Sequence, residues 1–341
     1  MQPLQLILDG EALVANWRWF QETAGVPAAA AVKADGYGLG ARAVVARLHA
    51  AGCRTFAVST FFEAEALGHP GADATTLVLH GFVETDAAAA QDMPWVRPVL
   101  NTPAQVAAWS AAFPGRPADL MVETGMNRLG LDRADLPAAL AAVPVRTIHS
   151  HLAAADEPGH PLTARQRERF AEIAAATPGF AHALANSAGV CCGPAFAFSL
   201  VRPGLGLYGG VPHPAARVRP VVAIAARVLQ VKVLAPGDPV GYGATWRAAA
   251  PARVATLNLG YADGIFRQLA PALAFESGGV RCPVVGRISM DLVAADVSGA
   301  DVREGDFLKL CYDLPALARS CGLTQYELLV SLSRRYERVW Q

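Results

Sequence analysis

The chain has 341 residues, 53 % hydrophobic and 17 % charged, with 29 basic side chains balancing 29 acidic ones. That length holds one large domain or two smaller ones, and the apolar content is ample for a sizeable core. Zero formal charge without a basic run argues against nucleic acid as a partner and against a polybasic membrane anchor, since both require clustered Lys and Arg.

The N-terminal stretch MQPLQLILDG lacks a basic leader, so no secretory signal is expected. No apolar run reaches the roughly 20 residues of a membrane span. The six cysteines, Cys53, Cys191, Cys192, Cys282, Cys311 and Cys321, form no CxxC pair. Their spacing fits neither a zinc site nor a small disulfide scaffold. No metal is therefore expected, and the thiols read as free, buried groups of a cytoplasmic protein.

After QLIL at residues 5–8, short apolar strands are expected at Ala28–Val32, Thr55–Val58, Leu77–His80, Val96–Val99, Asp119–Glu123, Val145–Ser150, Ala183–Ala185 and Leu200–Val201. Segments with helical periodicity lie between them, among them Ala41–Ala51, Phe62–Leu67, Pro103–Ala112, Leu136–Ala142, Ala164–Ala176 and Gly189–Phe196. Strand then helix, about eight times over roughly 200 residues, is the signature of a (β/α)8 barrel. The texture changes near VPHPAARVRP at residues 211–220. Beyond it, β-branched runs such as Val221–Val233 alternate with the turns PGD, GYG, YADG, SGG and REGD, and only the tail from Thr324 to Arg335 looks helical. The fold class is α/β: a TIM-like barrel over 1–217, then a mainly-β domain over 218–341, with which the strand near 5–8 can pair.

The stretch AAVKADGYGLG, residues 30–40, sets Lys33 at the C-terminal end of the first barrel strand. Barrel chemistry collects at that end. A lysine there ordinarily snorkels into solvent. Partly desolvated, it is instead an amine able to form a Schiff base. LANSAG, with Asn186 and Ser187, and VRPGLGLYGG, with Arg202, Gly204 and Leu205, follow the last two strands. Loops there commonly hold phosphate, and a serine hydroxyl with glycine-flanked N–H groups suits a dianion. A lysine on strand one and a phosphate cradle on strands seven and eight describe a pyridoxal phosphate site.

With these residues in view, VKADGYG, ETGMNRLG, HLAAADE, NSAG, RPGLGLYG, GYGAT, GYADG and GRISMD resemble, in order and nearly end to end, the motifs of the alanine racemases, fold-type III pyridoxal phosphate enzymes. The resemblance implies that Lys33 carries the cofactor and is the base on one face, while Tyr242, lent by a partner subunit, is the base on the other. It implies that His151 and Arg202 give that phenol cationic help through hydrogen bonds. Tyr37, Ser187 and the N–H groups of Gly204 and Leu205 would hold the phosphate, with Asn186 beside them. Arg202 would face the ring nitrogen, and Arg128 would reach the cofactor's phenolic oxygen and the substrate carboxylate. The Met290 N–H would hold the same carboxylate, and Tyr261 and Asp291 would line the entrance.

A homodimer with shared sites follows from the same resemblance, interconverting L- and D-alanine and supplying D-alanine for peptidoglycan. The alternatives are a racemase of wider scope acting on serine, and a non-catalytic pyridoxal phosphate carrier or regulator. Two positions depart from the pattern. Met121 stands where many members carry a carbamylated lysine that braces the arginine, and Arg334 where many carry a phosphate-contacting tyrosine, with Tyr336 two residues on. His149 matches no motif and reads as structural.

Overall fold

The computed structural model describes residues 2–341. Two compact units emerge: Ala12–Arg219, and Pro220–Gln341 together with the N-terminal segment up to Glu11. After the N-terminal strand β1 (Leu4–Leu8), the first unit contains seven parallel strands in sequential order. These are β2 (Ala30–Ala31), β3 (Thr55–Val58), β4 (Thr75–Val78), β5 (Val96–Leu100), β6 (Ala118–Met121), β7 (Val145–His149) and β8 (Ala181–Ala183). Side chains two apart share a face of a strand, and this stacks Ala57, Leu77, Val99 and Met121 into one buried cluster with Leu79 against it. Each large side chain buried there contributes about 1.5–3 kcal/mol.

The eighth expected strand, Leu200–Val201, is reduced to single bridges, Ala28 with Val201 on one side and Asn186 with Arg202 on the other. Hydrogen bonds from Val201 N to Pro27 O (3.0 Å) and from Arg202 N to Ala185 O (2.8 Å) close the ring all the same. Two glycines and a proline just beyond Val201 leave little chain to pair as a ladder. The helices Ala41–Ala50, Phe61–Leu67, Pro103–Ala112 and Leu136–Ala142 fall close to their expected spans. The 15-residue helix Gly10–Ala24 was not expected, although its buried residues Leu13, Trp17, Phe20 and Ala24 follow the 4-3-4 spacing of a helix face.

In the second unit a single long strand, β9 (Val222–Leu234), organises the sheet. Its first half pairs with Leu4–Leu8 on one side and with Phe307–Leu310 on the other. Its second half pairs with Ala252–Asn258. Through Leu292–Asp296, Val280–Val285 and Ala274–Ser277 the sheet returns to Phe307–Leu310, closing a six-stranded ring to which Leu4–Leu8 and Glu337–Trp340 are appended. The helical tail is shorter than expected, Gln325–Val330, opened by a Thr324–Glu327 capping box. A further helix, Leu314–Cys321, begins at the Asp313 cap and ends at Gly322 in the left-handed region, and both signals stood in the sequence. No helix among the described residues is long and apolar enough to cross a membrane.

Candidate active site

Lys33 stands just beyond β2, at the C-terminal mouth of the barrel. The backbone after it is unusual. Ala34, Asp35, Gly36 and Tyr37 all have φ between 53° and 63°, one turn of left-handed helix. Left-handed residues other than glycine cost about 1–2 kcal/mol each, so such a turn persists only where its surroundings hold it. Asp35 Oδ1 accepts from Ala41 N (2.9 Å), and the Glu63 carboxylate accepts from Ala34 N (2.8 Å) and Ser59 N (2.7 Å). At Gly36 a Cβ would come within 3.1 Å of the Ala41 backbone, and at a φ of 63° a side chain there is strained as well.

This turn folds Tyr37 back onto Tyr208, ring centroids 4.6 Å apart and 25° from parallel, and the Tyr208 hydroxyl donates to Ala31 O (2.8 Å). It leaves the Lys33 amine with no carboxylate in ion-pair range among the described residues, since Glu63 is occupied by backbone. Burial first, then the charge of Arg128, lower the Lys33 pKa from 10.5, with Glu63 opposing.

Ser187 begins the short helix Ser187–Cys191, which Asn186 caps by accepting from Gly189 N (2.9 Å). The Ser187 hydroxyl oxygen receives the N–H groups of Gly204 (2.8 Å) and Gly206 (3.3 Å). The Leu205 N–H has no acceptor among the described residues. A Cβ on Gly204 would collide with the Tyr37 hydroxyl oxygen. The Tyr37 and Ser187 hydroxyls therefore converge at Gly204, beside the Leu205 N–H, groups of the kind a phosphate requires. We expect Gly204→Ala to weaken pyridoxal phosphate binding by about tenfold or more, from the ~1–3 kcal/mol typical of overpacking. Titration of the unloaded protein, followed by the cofactor's absorbance, checks this.

Arg202 is almost wholly buried. Its Nη1 donates to Ala183 O (2.8 Å) and to His149 Nδ1 (3.1 Å), and its Nη2 to the carbonyls of Ser150 and Leu184. Among the described residues only the Nε–H is left without a protein acceptor, which leaves that donor free for a bound group. A ring nitrogen fits that donor. Burial lowers the Arg202 pKa to about 10, so the guanidinium stays charged at neutral pH.

His149, expected to be structural, is fully buried and hydrogen-bonded to both Arg202 and Asp119. The relay behind it, Asp119 and Arg97, was not foreseen. His151 is expected to help the Tyr242 phenol through hydrogen bonds. Burial, followed by the charges of Arg202, Arg128 and Lys33, pushes its pKa down to about 3, so its ring is neutral and offers hydrogen bonds only. The same burial lowers the His149 pKa. Both rings therefore resist protonation in the folded chain, while an unfolded histidine takes up its proton below 6.5. The stability of the unloaded protein should fall with falling pH from about 6.5 towards 3, by about 1.4 kcal/mol per pH unit for His151, with His149 adding in the same direction. Urea midpoints at pH 7.5 and 5.5 measure this, and a His149→Gln, His151→Gln double variant should flatten the difference.

Met121 sits in the barrel cluster and offers no brace to Arg128. Arg128 is exposed, and the adjacent Glu123 carboxylate is taken up by the N–H groups of Gly125, Met126 (2.7 Å) and Asn127 (2.9 Å).

The second unit holds the remaining candidates. Tyr242, 67 % exposed, projects from a turn flanked by Gly241 and Gly243, whose φ values are 71° and 73°. Met290, 54 % exposed, has an N–H that meets no acceptor among the described residues. Its carbonyl accepts from Ala262 N (3.0 Å), and a Cβ on Gly260 would collide with that oxygen. Asp291 pairs with Arg335 (2.6 Å), which also meets the buried Asp263 (3.2 Å), so the loops bearing Tyr261 and Met290 are tied together. Arg334 is exposed, and the Tyr336 hydroxyl is buried with no hydrogen-bond partner among the described residues. The pairing of Arg335 with two carboxylates was not anticipated, because nothing local links residues 263, 291 and 335.

Comparison with known proteins agrees with this two-part fold. Residues 8–212 match the family model of the alanine racemase N-terminal domain, and residues 221–340 that of its C-terminal domain. The alanine racemase of Acidiphilium cryptum is 42 % identical, with 98 % of each chain covered. That of Methylobacterium nodulans is 43 % identical over 98 % of this chain and 95 % of its own. The crystal structure of the Bartonella henselae alanine racemase with covalently bound pyridoxal phosphate superposes with a TM-score of 0.90 at 32 % identity, each chain covered to 100 %. The biosynthetic alanine racemase of Pseudomonas aeruginosa gives 0.89 at 35 % identity, also with 100 % of each chain covered.

Proposed function

Because this chain belongs to the alanine racemase family, we propose that it is a pyridoxal phosphate-dependent isomerase that interconverts L- and D-alanine by a two-base mechanism. The observation that carries the reading is Lys33, an amine of lowered pKa at the barrel mouth, in the same unit as a bare-backbone cradle and a buried arginine with one unused donor. Bound pyridoxal phosphate supplies an electron sink that acidifies the hydrogen on the substrate's α-carbon.

The roles of the chain's own groups follow from their chemistry. Lys33 anchors the cofactor, and its amine takes or returns a proton at the α-carbon. Its lowered pKa supports this, because a base works best when its pKa lies near the working pH. Tyr37, Ser187, Gly204 and Leu205 bind the phosphate. Arg202 donates a hydrogen bond at the ring nitrogen but does not surrender its proton, so that ring remains a modest electron sink. Arg128 and the Met290 N–H orient the substrate carboxylate, and Tyr261 and Asp291 frame the way in. Tyr242 moves the proton on the opposite face.

Tyr242 is supplied by a second copy of the chain in a homodimer, a reading supported by its exposure and by that of Met290. The enzyme works in the cytoplasm, which suits six free cysteines, and its D-alanine feeds peptidoglycan. The test is chiral analysis of product from the purified, cofactor-loaded protein given L-alanine and then L-serine. D-alanine formed in preference to D-serine is expected, and absence of both would end the proposal.

A further inference from the structure

Three ionisable side chains occupy the inside of the barrel beneath Arg202. Asp119 lies two residues before Met121 on β6, so it shares the face of that core residue. His149 is the register partner of Met121 on β7, and Arg97 lies two residues before the core residue Val99 on β5. Asp119 and His149 are both fully buried. A barrel interior is normally filled by branched apolar side chains. Buried charges there are costly, and apolar residues of similar volume would pack as well or better. Packing alone does not account for this trio.

The hydrogen bonds assign their protons. Arginine has donors only, so its contact at 3.1 Å requires a lone pair on His149 Nδ1. The ring is then neutral, with its one N–H on Nε2, and that N–H donates to Asp119 Oδ2 at 2.9 Å. The other carboxylate oxygen accepts from Thr147 N (3.0 Å) and lies 2.8 Å from Arg97 Nε as an ion pair. Asp119, Arg97, Arg202 and the Thr147 N–H are the charged and polar groups that face the pair.

We propose that His149 is a positioning residue, coupling the buried Asp119 carboxylate to Arg202 so that the Arg202 Nε–H is held as the donor for the cofactor's ring nitrogen. This deepens the function proposed above and rests on it. The relay fixes the orientation of the guanidinium and opposes its positive charge with a carboxylate one imidazole away. Loosening it would alter the hydrogen bond at the ring nitrogen and therefore the electronic state of the bound cofactor.

The experiment has two arms. In the first, 15N NMR of the histidine-labelled protein should show the His149 ring as the Nε2–H tautomer, without titrating between about pH 6 and 9, where an ordinary imidazole changes charge. A titrating ring, or the opposite tautomer, overturns the proposal. This arm needs no cofactor, so it separates failure of the relay from failure of the racemase reading, which wild-type activity reports.

In the second arm, the cofactor-loaded His149→Asn and His149→Leu proteins are compared. Asn keeps an acceptor near the Nδ1 position and Leu does not. We expect the His149→Leu protein to show a shifted cofactor absorbance maximum and a kcat lowered about tenfold with little change in KM, a size typical of outer hydrogen-bond partners. His149→Asn should recover much of both. If His149→Leu does not fold, Asp119→Asn, which keeps the shape and removes the charge, should shift the absorbance in the same direction. Unchanged absorbance and kcat with only a lowered melting temperature would reduce His149 to a packing residue and overturn the proposal.

Discussion

Lys33→Ala should reduce racemisation by at least about ten-thousandfold, because one substitution removes both the cofactor's anchor and a proton-transfer group that alone contributes about 10²–10⁴. The structure makes this loss specific. The amine stands at the barrel mouth with no carboxylate in ion-pair range among the described residues, and its pKa is already lowered by burial and by Arg128. Removing a partly desolvated, unpaired cation should not destabilise the fold, so the melting temperature should be no lower than that of the wild type. Borohydride reduction of the loaded wild-type protein, followed by peptide mapping, should place the label on Lys33. A label on Lys232 or Lys309, the other two lysines in the chain, would undo the assignment.

Tyr242→Phe should lower racemisation by about 10²–10⁴, the range of a single acid–base group. The loss should be lopsided: α-hydrogen exchange in deuterium oxide persists from one enantiomer and vanishes from the other. Equal loss from both would argue against two bases. The phenol is 67 % exposed, so deleting its hydroxyl leaves the fold of its own unit undisturbed. If the site is shared between two copies, mixing Lys33→Ala and Tyr242→Phe chains should restore about a quarter of wild-type activity. Half of randomly paired dimers then hold one intact site of two. No recovery on mixing would show that both groups act within one chain.

Much of the frame was legible in the residues themselves. Strand positions in a parallel barrel are continuous apolar runs, and the helices between them carry a 3.6-residue period, so local pattern alone located Thr55–Val58 and Pro103–Ala112. The candidate lysine and the candidate phosphate-binding residues were equally legible, because they lie in short contiguous motifs at strand ends. Local pattern also misled. Val201 looks like a strand, yet it forms only bridges. Leu314–Cys321 lies inside a β-rich region and is a helix, because its caps outweigh its setting.

What the amino-acid sequence determined unaided was the alternation of elements, the two-part organisation and the chemical identity of the residues at the barrel mouth. All of these depend on neighbours in the chain. Only the tertiary structure decided the protonation of those residues and what holds them. His149 looked inert until β7 set it between Asp119, 30 residues away in sequence, and Arg202, 53 away. For His151, burial and the charges of Arg202, Arg128 and Lys33, all distant in sequence, push the pKa down. Charge state and orientation depend on groups brought close through space, and no spacing within a motif encodes those distances.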